Sequence, residues 1–227
     1  EVMRSAAKIA SHVMTVACEH ISPGMRQCDL VAKVLSAQVS GVAGLGGDTT
    51  ALCPLILAGE AAATAHPMWT AAPFEADQTV ALELGGACRR YNAGLARTVQ
   101  LGKGPQKVFD TAKAVTEGLE AVLQTIRPGT AAGDVHRAWQ AVLDRYGLIK
   151  ESRIGYSIGV GYSPDWGEHT LNIYKGDNTI LQPNVCFHMI AVMQFGDWGV
   201  EASEAIRVTE NGSELFCNFP KELHIKS

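Results

Sequence analysis

Apolar residues recur along the first twenty positions with a helical period: Val2, Ala6, Ile9, Ala10, Val13 and Ala17 share one face. The run SPG at 22–24 breaks this helix. Asp29 is placed to cap a second one, which carries Leu30, Val31, Val34 and Leu35. The glycine-rich run SGVAGLGGDTT follows. It lacks the Lys-Ser/Thr of a phosphate-binding P-loop and the spacing of a dinucleotide fingerprint, so a flexible connection is expected. LCPLILAG reads as a short buried strand. From 79 to 101 the period changes to two, which predicts a pair of strands and the turn between them. A long helix then takes Val108, Ala112, Val115, Leu119, Val122 and Ile126 to an RPG stop at 127–129. The next helix carries Val135, Trp139, Val142 and Tyr146, with Gly147 at its C-terminal cap. Loops and short strands are expected over 153–182. The last third predicts two long strands joined at GDWG.

The order helix, helix, strand, strand thus occurs twice. It predicts an α+β fold of two related halves, with helices covering one face of an antiparallel sheet. No close sequence repeat accompanies it. A chain of 227 residues suits one such domain spanning 1–227. The formal net charge of -4 and the absence of a Lys/Arg cluster argue against nucleic-acid binding. No apolar run is long enough to cross a bilayer, and no signal peptide is visible, so no membrane partner is expected. The six cysteines are scattered without a C-x-x-C pair, which speaks against a zinc framework or a disulfide scaffold. They are expected to be reduced, small and hydrophobic, in a cytoplasmic protein.

The chemistry lies where polar groups interrupt the apolar strands. Alternation puts Val80, Leu82 and Leu84 on one face of the first hairpin strand and Ala81, Glu83 and Gly85 on the other. With helices on the first face, Glu83 points to the opposite, concave one. A buried carboxylate costs several kcal/mol unless it is paired. Its partner is either an arginine of this chain (Arg89, Arg90 or Arg97) or a cationic ligand. In the final strand Glu201, Ser203, Ala205 and Arg207 share a face, and Glu201 with Arg207 reads as a surface pair or as part of a site. His188, in CFHMIAV, is either a hydrogen-bonded core histidine or a ligand contact. His66, in ATAHPMW, lies in a loop after a strand; Pro67 and Trp69 give that loop the residues of a shaped pocket.

The strings ATAHPMW, LELGG…YNAGLARTVQLG, GYSIGV, PDWGEHT and EASEAIRVTENG resemble, in order and spacing, the signature of the pita-bread superfamily. That superfamily holds methionine aminopeptidase, prolidase and creatinase, and the resemblance runs most clearly from His66 onward. Its peptidases bind two metal ions through two Asp, one His and two Glu. At those positions this chain has Glu83, Gly94, Tyr156, Ile190 and Ser203. The resemblance therefore implies a pita-bread scaffold without metal and without another cofactor. Creatinase, likewise metal-free, holds a guanidinium-like substrate with a Glu at the position of Glu83 and uses a His at the position of His66.

RIGYSIGVGYSPDWGEHT, DWGVEASE and LFCNFPKELHIK are similar to the ectoine hydrolase subgroup of creatinase relatives. What this implies is hydrolysis of a cyclic amidine, a small-molecule substrate, at a C–N bond. Glu83 would hold the protonated N–C–N unit. His66 would take a proton from the attacking water. Glu201 would hold the second ring nitrogen. Trp198 would stack on the cation, a contact worth about 0.5–2 kcal/mol, or pack its turn. Tyr156 would bond the substrate or plug the cavity. Relatives carry a further N-terminal domain, which is not expected within 1–227, and the resemblance implies a homodimer that closes the site. Two other readings remain: a hydrolase of a different amidine or guanidine, and a non-catalytic module that binds peptides or proteins.

Overall fold

A computed structural model describes residues 1–226. The first half contains helices α1 (Val2–His20) and α2 (Gln27–Ser40), strand β1 (Leu55–Ala58), a 3₁₀ turn (Gly59–Ala63) and strands β2 (Thr79–Cys88) and β3 (Tyr91–Leu101). The second contains α3 (Gln106–Thr125), α4 (Ala132–Arg145), the hairpin β4 (Gly155–Tyr162) and β5 (Asp165–Ile173), and the hairpin β6 (Cys186–Gln194) and β7 (Gly199–Val208). Short strands β8 (Ser213–Leu215) and β9 (His224–Lys226) complete it. The sheet runs in the order β1-β2-β3-β4-β6-β7-β8, with β5 added on β4 and β9 on β3. All its pairings are antiparallel except β3 with β9.

Each half buries one helix pair on the outer face of its strands. Ile9, Ala10, Val13 and Ala17 of α1 close over Leu82 and Leu84 of β2. Val115, Leu119 and Val122 of α3 close over Val200, Ala202 and Ile206 of β7. This is the predicted repeat of helix pair and strand pair. The inner faces meet along β3 and β7, which share no ladder but are joined by side chains. Thr98 Oγ1 donates to the Glu201 carbonyl at 2.9 Å and accepts the Glu201 N–H at 2.7 Å. Arg97 Nη1 donates to the Ser203 carbonyl at 2.7 Å.

Several local expectations need correction. Helix α2 starts at Gln27, so Asp29 is not its cap but lies in the first turn, where it pairs with Arg26 at 2.6 Å and faces the helix dipole. Leu35 is outside the buried face. The run 40–50 is a built loop rather than a flexible link: Val42 bridges Leu45, Asp48 N donates to the Ala87 carbonyl at 2.9 Å, and Asp48 Oδ2 accepts the Arg90 N–H at 3.0 Å. The region 153–182 holds a long hairpin, β4–β5, whose register slips at two places and breaks the alternation that would have announced it. Gly147 has φ +65° just past α4, as its capping position requires.

Candidate active site

Glu83 stands in mid-β2, opposite Leu55 of β1 and Ala96 of β3. Its neighbours along the strand fix its direction. Gly86 faces α1, and Gly85 lies against the Trp166 ring on the concave side, the side Glu83 shares. Glu83 is 5% exposed. None of the arginines considered for it serves: Arg97 pairs with Glu204 at 2.5 Å, Arg90 bonds the Thr49 and Gly161 carbonyls, and no ion pair joins Arg89 to it among the described residues. Its nearest basic atom is Nδ1 of His188, 3.9 Å away.

His188, in β6, is fully buried at the centre of the concave face. Nδ1 meets the Tyr156 hydroxyl at 3.1 Å and Nε2 meets Ser203 Oγ at 2.7 Å. Trp166 Nε1 donates to the Tyr156 oxygen at 2.7 Å, and Ala96 N donates to Ser203 Oγ at 2.6 Å. Each hydroxyl therefore has its own proton left to give, while a neutral imidazole offers one acceptor nitrogen. One hydroxyl donates to the ring and the other receives from it. The Tyr156 and Trp166 rings meet the imidazole edge-on, at 5.5 and 5.6 Å between centroids.

The electrostatics follow from burial. Desolvation, aided by the carboxylates of Glu201 and Asp165, pushes the Glu83 carboxyl well above its ordinary range, against the pull of Arg153. Burial, then Arg153, lowers His188 to about 3. With the His188 ring neutral at neutral pH, their 3.9 Å approach is not an ion pair. Glu201, 3% exposed and also on the concave face, is pushed up to about 7 by burial, with Lys150 acting the other way. Lys150 in turn is lowered to about 8. Neither Glu83 nor Glu201 has a side-chain hydrogen bond among the described residues. The expected surface pair of Glu201 with Arg207 does not form. Glu201 is buried, and Arg207 lies outside against Glu214 at 2.8 Å.

The structure thus gathers Glu83, Tyr156 and His188 and adds Glu201 through its charge, while neither His66 nor Trp198 has a hydrogen bond or ion pair to them among the described residues. His66 is exposed in the loop after the 3₁₀ turn. Trp198 packs with the helices of the second half, stacked on Phe195 at 4.2 Å with Lys107 Nζ 4.7 Å from its ring, so the turn-packing role is the one its contacts fill. Sequence reasoning left out Trp166, Arg153 and the hydrogen-bonding part of Ser203. The PDWGE string was the available signal for Trp166; a serine at a lost ligand position gave none.

Two halves, each a helix pair on a strand pair, joined in one sheet whose concave face holds carboxylates and a buried histidine, define a pita-bread fold. The chain belongs to metallopeptidase family M24, whose model matches residues 1–210. It is 35% identical to ectoine hydrolase of Halomonas elongata over 100% of its own length and 58% of that protein's. It is 24% identical to a Xaa-Pro dipeptidase of Pyrococcus furiosus, over 98% of this chain and 62% of that one. Among solved structures it resembles prolidase from Pyrococcus horikoshii OT3, with TM-score 0.88 and 21% identity over 98% of this chain and 62% of that one. It also resembles dipeptidase PepE from Mycobacterium ulcerans, with TM-score 0.86 and 24% identity over 99% and 58%. The chain thus spans about three fifths of the length of these relatives.

The residues present do not fit the two-metal centre that the family name implies. Gly94 has no side chain, and a Cβ there would lie 2.8 Å from the His188 ring and 2.9 Å from Trp166. His188 has taken the space a ligand at 94 would use. Ile190 offers no donor atom, and Ser203 Oγ is occupied by Ala96 and His188. Among the described residues no group of three or more His, Cys, Asp or Glu is placed to hold a metal ion.

Proposed function

We propose that this chain carries the catalytic face of a metal-independent hydrolase that opens a C–N bond of a cyclic amidine, with ectoine or 5-hydroxyectoine as substrate and an N-acetylated diaminobutyrate as product. The observation that carries the reading is Glu83: a buried carboxyl on the concave face, with neither a side-chain hydrogen bond nor an arginine ion pair among the described residues. The relationship to an ectoine hydrolase supports it.

In this reading burial biases Glu83 towards its protonated form. A planar amidinium brings the positive charge that lets Glu83 ionise and accept its N–H groups edge-on. Glu201 accepts the second ring N–H. The paired carboxylates keep the amidine protonated, and its carbon electrophilic. Water adds at that carbon and gives up a proton to His66. The C–N bond then breaks, and the leaving nitrogen takes a proton back. His66 acts from its exposed loop, which Gln194 Nε2 ties to the end of β6 by a 2.9 Å bond to the Thr64 carbonyl. Tyr156 and Trp166 wall the site, and His188, held neutral, keeps the floor uncharged.

Incubating the protein with ectoine and following ring opening by NMR tests this. Turnover is expected in the wild type. Glu83→Gln should lower it by about 100-fold or more, and His66→Ala by a comparable factor. Full activity in Glu83→Gln overturns the reading. So do two tightly bound metal ions per chain in protein purified without chelator.

A further inference from the structure

The substrate of this reading is a zwitterion, and Glu83 and Glu201 answer only its cationic end. The concave face has a cation in the right place to answer the other. Arg153 stands two residues before β4, exposed, with its guanidinium 4.4 Å from the centre of the Tyr156 ring. Tyr156 bonds His188, and His188 lies beside Glu83. From Arg153 to Glu83 the face thus runs from a fixed positive group, across an aromatic wall, to an acid pocket. Arg153 is anchored by one bond only, Nη1 to Asn172 Oδ1 at 2.9 Å, and has no carboxylate within ion-pair distance among the described residues. Its field reaches the site: it favours the ionised forms of Glu83 and Tyr156, against their burial, and the neutral form of His188. Lys150 acts instead on Glu201, through its charge and without an ion-pair contact among the described residues.

We propose that Arg153 is the specificity residue of this site, and that its guanidinium binds the carboxylate of an amidine whose cationic end lies on Glu83. This rests on the amidine reading above and deepens it. A planar fork with spare N–H donors matches a carboxylate in two parallel hydrogen bonds. Stacking on Tyr156 holds the fork in place before the ligand arrives, which limits the entropy lost on binding.

The test compares two ligands on two proteins by calorimetry: ectoine, and the same cyclic amidine without its carboxylate. Wild type should prefer ectoine. Arg153→Gln should weaken ectoine binding by about 10- to 100-fold, the loss of a charge-assisted pair. The same change should leave the carboxylate-free cation unaffected or bound more tightly, because a repelling charge has gone. Arg153→Lys should fall between for ectoine. Equal loss of both ligands in Arg153→Gln would mean that Arg153 merely steadies Tyr156, and overturns the proposal while leaving the amidine reading intact. A preference for ectoine that survives the substitution does the same. Failure of wild type to bind either ligand overturns both.

Discussion

At the scale of single residues the site is governed by opposed proton preferences. Glu201, raised by burial from 4.5 to about 7, keeps its proton in the folded chain over a range where the unfolded chain has lost it. The stability it contributes is full below pH 4.5 and is lost as pH rises through 7. Within that window one group changes stability by at most about 1.4 kcal/mol per pH unit. His188, lowered from 6.5 to about 3, acts in the other direction: its contribution is full above 6.5 and is lost as pH falls towards 3. The two oppose each other between pH 4.5 and 6.5, so Glu201 is best isolated by difference. Glu201→Gln should gain on wild type by about 1–3 kcal/mol as pH is raised from 4.5 to 7.5. Urea unfolding at the two pH values measures it, and a stability difference that does not move with pH contradicts the burial assigned to this carboxylate. Much of this was legible in the sequence. Alternation turned Glu83 away from the helices; for Glu201 it left a surface pair with Arg207 open. The filling of the Gly94 space by His188 was not legible, because those residues belong to β3 and β6 and meet only when the halves close.

At the scale of elements, legibility followed periodicity. The helices and the two outer hairpins keep a clean period, and their cores match the predicted faces. Hairpin β4–β5 does not: β4 is glycine-rich, β5 is mostly polar and largely unburied, and the pair slips in register, so neither face reads as apolar. The loop 40–50 looked mobile because of its glycines, which instead permit close approach; a Cβ on Gly47 would lie 1.9 Å from the Gln38 carbonyl oxygen. The same device sets α1 on β2. A Cβ at Gly86 would come within 2.4 Å of Ala10 N and the Ala6 carbonyl oxygen, both backbone atoms that no rotamer change can move. Gly86→Ala must therefore push the whole helix off the strand, at a cost of about 3 kcal/mol. A melting temperature unchanged by that substitution would mean that α1 does not rest on β2 at this point.

At the scale of the molecule, the two halves need a bond that neither half can make alone, and the seam between β3 and β7 supplies it. Arg97, fully buried, reaches from β3 to Glu204 of β7 at 2.5 Å and to the carbonyls of Ser203, Phe219 and Pro220. One guanidinium thus joins the first half, the second half and the C-terminal segment. Among the described residues Glu204 has no other cation within ion-pair distance, and its Oε2 has no hydrogen bond. Burial raises its carboxyl against the pull of Arg97. Truncating the arginine therefore does more than remove an attraction: it leaves an acid stranded in the seam, along with the carbonyls of Ala96, Ser203, Phe219 and Pro220, four acceptors that lose an arginine donor. Arg97→Met alone should cost about 3–5 kcal/mol. Arg97→Met with Glu204→Met removes the stranded acid and fills the seam with apolar volume, and should recover at least half of that loss. Chemical denaturation of the two single variants and the double variant closes the cycle. Strictly additive losses would mean that the two side chains do not act on one another, and that the halves are held by packing and backbone bonds instead.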